Sequence, residues 1–124
     1  MSEPIIEVIN LHKSFRTGDK QELLVLSDIN FKVYEGEIVA ILGKSGSGKS
    51  TFLRIIAGLT QASKGSIYYR KHEVVSPVRG ISMVFQTFAL LPWLTVLQNV
   101  ELGLEALGID RTERRDRALK AIDM

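Results

Sequence analysis

One junction constrains this chain more than any other. From Ile38 to Leu42 it reads Ile-Val-Ala-Ile-Leu, and it passes without a break into GKSGSGKST, Gly43 to Thr51. An apolar run with no polar alternation is what a strand covered on both faces of a parallel sheet requires. The stretch after it is the opposite, with three glycines, two lysines and four hydroxyl side chains. Beyond it Phe52, Ile55, Ile56 and Leu59 recur at helical spacing, so a helix is expected from Lys49 to Ala57, stopped by Gly58. The order strand, glycine loop, helix sets an α/β expectation.

Gly43 to Ser50 fits the pattern G-x-x-x-x-G-K-[ST]. Glycines let the backbone bend so that successive N–H groups converge on one concavity, and the helix that follows adds its own unpaired N–H groups and the positive end of its dipole. Such a cradle suits phosphate. The loop through Gly43, Ser45, Gly46, Ser47 and Gly48 is expected to wrap a nucleotide triphosphate. Lys49 would act as a point charge on the β- and γ-phosphates, Ser50 would offer its hydroxyl to Mg²⁺, and Ser47 and Thr51 would add donors along the phosphate chain. A plain flexible surface loop is the competing explanation, and the strand before and helix after speak against it.

Composition narrows the class. Sixteen basic and fourteen acidic residues leave a net charge of +2, with no clustered basic stripe and no aromatic platform, so nucleic acid is not an expected partner. There is no cysteine, which removes disulfides and thiolate metal sites. The longest nearly apolar run, Phe88 to Leu97, is about half of a membrane span and contains Pro92. The N-terminus, MSEPIIEVIN, carries acids where a signal peptide would be basic.

Elsewhere the pattern is mixed. IIEVINL is a strand candidate, and Ile29, Phe31 and Val33 alternate with Asn30, Lys32 and Tyr34 as in a strand with one buried face. RTGDKQ between them is a polar turn. SIYY after Lys64-Gly65 is a further strand, and Ile81 to Phe85 is a second run expected to be buried, ending on Gln86 where open α/β sheets bind ligands. Thr95 with Gln98 reads as a capping box that opens a helix with Val96, Val100, Leu104 and Leu107 on one face, up to Gly108. Asp110 with Glu113 repeats that signal. The run RTERRDR, Arg111 to Arg117, is a solvated face of mixed charge, and His12 and His72 have no metal-binding spacing.

The stretch Leu26 to Leu59, with its "xGE" turn at Tyr34 to Glu37, the phosphate loop and the closing Ala57-Gly58-Leu59, resembles the nucleotide-binding subunits of ABC transporters. Val84-Phe85-Gln86 falls at that family's Q-loop, which implies a role for Gln86 at the Mg²⁺ and lytic-water region. The resemblance also implies that Phe15, in LHKSFRTG, stacks the adenine; the family usually has tyrosine there, so the hydroxyl is missing but the π-face is kept. A core residue at a strand end is the alternative for Phe15. Phe88 to Val100 is similar to the form seen in importers of nitrate, alkanesulfonates and taurine. For Phe88, Leu90, Leu91 and Trp93 two explanations stay open: an interface for a transmembrane partner, or packing of the helical subdomain onto the sheet.

The resemblance implies a P-loop NTPase fold of the ABC type, with an N-terminal antiparallel β subdomain and the start of a helical subdomain, truncated at its C-terminus. Residues 1–93 are expected to form the nucleotide-binding core and 94–124 the start of the helical subdomain. Nothing matches the family's signature sequence, acidic Walker B strand or switch histidine. The complete subunit is therefore expected to be an ATPase with ATP and Mg²⁺ as cofactors, and this chain alone to be inactive and marginally stable. Implied partners are transmembrane permease subunits and a second nucleotide-binding subunit in a head-to-tail dimer, at the cytoplasmic face of the membrane. Alternatives are a short module that binds nucleotide without hydrolysis and a soluble ABC ATPase outside transport, for which basic insertions near Gln86 would be expected in place of LLPWLTV.

Overall fold

A computed structural model describes residues 2–124. The chain divides into two units, one up to Met83 and the other Val84–Met124. In the first, β1 (Ile6–Arg16), β2 (Glu22–Val33), β3 (Lys64–Tyr69) and the short β4 (His72–Glu73) form an antiparallel sheet in the order β2-β1-β3-β4, with α1 (Lys49–Ile56) between β2 and β3 in sequence. In the second, α2 (Val96–Ala106) and α3 (Arg111–Ile122) pair as a helical hairpin.

The β1–β2 hairpin closes at the polar turn, where Lys20 donates its N–H to the Thr17 carbonyl and Thr17 donates to Gln21, both at 2.9 Å. Ile29, Phe31 and Val33 are half-buried while Asn30 and Lys32 are exposed, the alternation that the sequence carries. Where Lys13 pairs with Leu26 and Ser14 with Leu24, Val25 is one residue too many, a bulge that bends β2. Val8 and Leu11 of β1, Leu26 of β2, Ile67 of β3, and Phe52, Ile55 and Ile56 of α1 form the core. Each such burial stabilises by about 1.5–3 kcal/mol. Phe31 meets Phe52 edge to face, with ring centroids 6.1 Å apart, which locks α1 to the sheet.

α1 ends as its sequence predicts. Gly58, at φ +76°, donates to the Ile55 carbonyl at 3.0 Å and Leu59 donates to Arg54 at 2.9 Å, the paired bonds of a Schellman stop. A side chain at Gly58 would in addition run into the Ser76 carbonyl group. Leu59, beyond that stop, is half exposed and leaves the apolar face that Phe52, Ile55 and Ile56 share.

Two expected strands are absent. Ile38–Leu42 and Ile81–Phe85 carry no ladder, and Ile38 and Leu42 are 101% and 91% exposed. A strand exists only where a neighbour supplies hydrogen bonds along its edge, and a parallel strand needs neighbours distant in sequence. The described residues pair neither run. Ile41 alone packs against the core.

In the second unit Thr95 and Gln98 form the reciprocal box: the Gln98 N–H donates to Thr95 Oγ1 at 3.2 Å and the Thr95 N–H to Gln98 Oε1 at 2.8 Å. At α3 the box is half made. Asp110 accepts from the Thr112 N–H at 3.0 Å, and Glu113 instead pairs with Arg117 one turn on, at 3.6 Å. Lys120 pairs with Asp116 at 2.9 Å, so this helix carries the solvated face of mixed charge expected of it.

Candidate nucleotide site

The Gly43–Thr51 loop runs into the first turn of α1 and is held from within by Lys49. The ammonium donates to the Gly43 carbonyl at 2.6 Å, to the Lys44 carbonyl at 2.7 Å and to Ser47 Oγ at 3.2 Å, while the Ser47 N–H donates to the Lys44 carbonyl at 3.1 Å. Two carbonyls of the loop, those of Gly43 and Lys44, are thus turned onto a cation. Gly48, the residue before α1, takes φ +94° and gives no side-chain cap, and no acidic side chain stands in the first turn. The first intrahelical bond is Phe52 N–H to the Gly48 carbonyl at 2.8 Å. The earlier amides of the turn are free to donate outward.

Gly48 is fixed by contact as well as by φ. A Cβ there would lie 2.7 Å from Val25 Cγ1 and 3.0 Å from Leu26 Cδ2, side chains that the bulge brings side by side. The strand therefore supports the loop, a role for Val25 that its aliphatic character alone does not signal. The preceding turn is also specific: the Tyr34 N–H donates to the Glu37 carboxylate at 2.8 Å and the Glu37 N–H to the Tyr34 carbonyl at 3.2 Å. This accounts for the acid in the "xGE" element.

Phe15 sits near the end of β1 opposite Leu23, two residues before Val25, and its ring is 42% exposed. It is not a core residue. Gln86 belongs to the second unit and lies exposed on irregular backbone. Ser50 is exposed and Thr51 half-buried at the start of α1.

Beyond Gln86, Phe88 and Trp93 are 93% and 74% exposed. Leu90, Leu91, Pro92, Leu94, Val96 and Val100 line a hollow of about 270 Å³. Asn99 pins this segment to α2: its Oδ1 accepts from Leu91 N–H at 2.8 Å, and its Nδ2 donates to the carbonyls of Leu91 and Thr95 at 3.1 and 2.9 Å. Thr95 and Asn99 together hold the start of α2 and the segment before it. His12 lies on β1 and His72 on β4, where its Nδ1 is 2.9 Å from the Arg70 carbonyl. Among the described residues no three acidic, histidine or cysteine side chains cluster to hold a metal, and no helix is long and apolar enough to cross a membrane.

A lysine folded into a glycine loop at an uncapped helix start is the arrangement by which the phosphate-loop class of protein is recognised. Within that class, residues 26–124 match the model of the family described as ABC transporter, and the chain belongs to that family. It is 41% identical over 119 residues to the nitrate import ATP-binding protein NrtD of Synechocystis sp., covering 96% of this chain and 44% of that protein. To an uncharacterized ABC transporter ATP-binding protein, MJ0412 of Methanocaldococcus jannaschii, it is 43% identical with the same coverage. Among solved structures it is similar to the ATP-binding cassette MJ0796 in a dimeric post-hydrolysis state bound to ADP and Pi, with a TM-score of 0.84 and 35% identity over 95% of this chain and 56% of that one. A second dimeric structure of MJ0796 matches equally well. The fold is thus that of an ABC cassette, and the chain spans less than half the length of its curated relatives.

Proposed function

We propose that this chain grips MgATP through its glycine loop, as the nucleotide-binding part of an ATP-hydrolysing subunit that drives an ABC importer. The observation that carries the reading is the Lys49 ammonium drawn into the loop carbonyls at the uncapped start of α1. The backbone of Gly43, Ser45, Gly46, Ser47 and Gly48 would hold the phosphates, with Lys49 and Thr51 as side-chain donors. Ser50 and Gln86 would serve the metal, and Phe15 would stack the adenine. Bound Mg²⁺ supplies charge neutralisation on the β- and γ-phosphoryl oxygens. Residues 1–93 are read as the nucleotide-binding core and 94–124 as the start of the helical subdomain.

The cargo is read as an anion such as nitrate, a sulfonate or taurine, supported by the likeness to a nitrate import protein and by the LLPWLTV segment. A second nucleotide-binding subunit and membrane-embedded permease subunits are the proposed partners, at the cytoplasmic face of the membrane. The exposed Phe88 and Trp93 suit contact with a permease better than a free surface.

Calorimetric titration with MgATP tests this. Lys49→Ala should weaken binding more than about tenfold, as expected on losing a charge-assisted hydrogen bond of about 1.5–3 kcal/mol. Unchanged affinity would sink the assignment. The chain by itself is expected to show no MgATP turnover above background, and turnover that vanishes with Lys49→Ala would contradict that part.

A further inference from the structure

Phe15 has a charged companion. Lys13 lies two residues earlier on β1, and its ammonium stands 4.8 Å from the centroid of the Phe15 ring. The same Nζ donates to the main-chain carbonyl of Gln61, on the segment between α1 and β3, at 2.7 Å. That segment is itself tied down. The Ser14 N–H donates to Ser63 Oγ at 3.0 Å, the Ser63 N–H donates to the His12 carbonyl at 2.9 Å, and Gln61 Nε2 donates to the Val75 carbonyl at 3.0 Å. Lys13 is half-buried, so its ammonium is held in place over the ring instead of sweeping through solvent.

We propose that Lys13 is a positioning residue for the nucleotide base: fixed by the Gln61 carbonyl over one face of Phe15, it orients the ring and draws electron density away from the opposite face, where a purine stacks. The proposal rests on Phe15 being the stacking aromatic. Aromatic faces carry negative charge density and repel one another when laid flat, and a cation behind one ring relieves that repulsion. With phenylalanine in place of tyrosine no ring hydroxyl is available to anchor the ring, and the tethered ammonium supplies a restraint from the other side.

The test compares MgATP with inorganic tripolyphosphate, which engages the loop but has no base, by calorimetry on the unaltered chain and on Lys13→Met, Lys13→Arg and Phe15→Ala. Lys13→Met should weaken ATP about two- to fivefold, the size of one cation–π contact, and leave tripolyphosphate unchanged. Lys13→Arg should restore ATP affinity, because a guanidinium also stacks on an aromatic face. Equal loss for both ligands would mean that Lys13 only braces the chain around Gln61, and no loss for either would mean that it does nothing; both overturn the proposal. If Phe15→Ala leaves the ratio of the two affinities unchanged, the stacking assignment itself fails and this proposal with it. If Phe15→Ala lowers that ratio and Lys13→Met does not, only the role of Lys13 is refuted.

Discussion

The two units hold together differently. In the first, a sheet and one helix close over Val8, Leu11, Leu26, Phe52, Ile55, Ile56 and Ile67. In Val84–Met124 both helices are well started, and α2 is well ended by Gly108 donating to Glu105 at 2.9 Å and Ile109 to Leu104 at 3.1 Å, yet the buried residue there is Ala118. One unit is held by burial between segments distant in sequence, the other by hydrogen bonds between residues a few positions apart. Good caps make a helix without making a core. Local order of that kind gives the second unit a shape whose apolar faces stay available to something else.

Mutation and spectroscopy can break this contrast, because the reporters are separated: Tyr34, Tyr68 and Tyr69 lie in the first unit and Trp93 in the second. Leu11→Ala, at a fully buried site, should cost about 2–5 kcal/mol in urea unfolding followed by tyrosine near-ultraviolet dichroism. A cost under about 1 kcal/mol would show that the sheet core is not what holds the first unit. Thr95→Ala removes one arm of the α2 box and should cost about 1 kcal/mol, seen as faster exchange of the Gln98 amide while β1 is unaffected. Equally faster exchange in β1 would show that the effect is not local, and an unchanged α2 that the cap does not govern that helix. The smallest effect is expected for Val96→Ala. This residue is 70% exposed, and the change should stay within about 0.5 kcal/mol by tryptophan fluorescence. A larger loss would reveal a buried role for the apolar face of α2.

The same contrast marks what the sequence discloses. Features set by neighbours along the chain are legible: the hairpin turn at Thr17–Gln21, the stop at Gly58, the box at Thr95 and the glycine loop itself. Ile38–Leu42 and Ile81–Phe85 look like buried strands because apolarity reports a need for cover, and it cannot say whether pairing strands lie within reach. Side chains that act on backbone escape pattern reading for a different reason. Asn99 and Glu37 are polar residues among many, and only the positions of Leu91 and Tyr34 show what they hold. Lys13 is similar, its signal being no more than a lysine two residues from an aromatic. The glycine loop stands out in the sequence because phosphate-loop chemistry demands particular residues at fixed spacing.

Lys49 carries one last implication. An ammonium has three hydrogens, and in the loop they meet three oxygens, those of Gly43, Lys44 and Ser47. The ammonium is thereby saturated within the chain, so a group that takes one of its hydrogens has to displace the Gly43, Lys44 or Ser47 oxygen that holds it. An ion that offers one oxygen gains little from such a displacement, whereas a polyphosphate held as proposed, with several oxygens at once, would replace the lost bond and engage the helix amides together. Under the proposed function, selection against small anions would then be built into the loop before a base or a metal takes part.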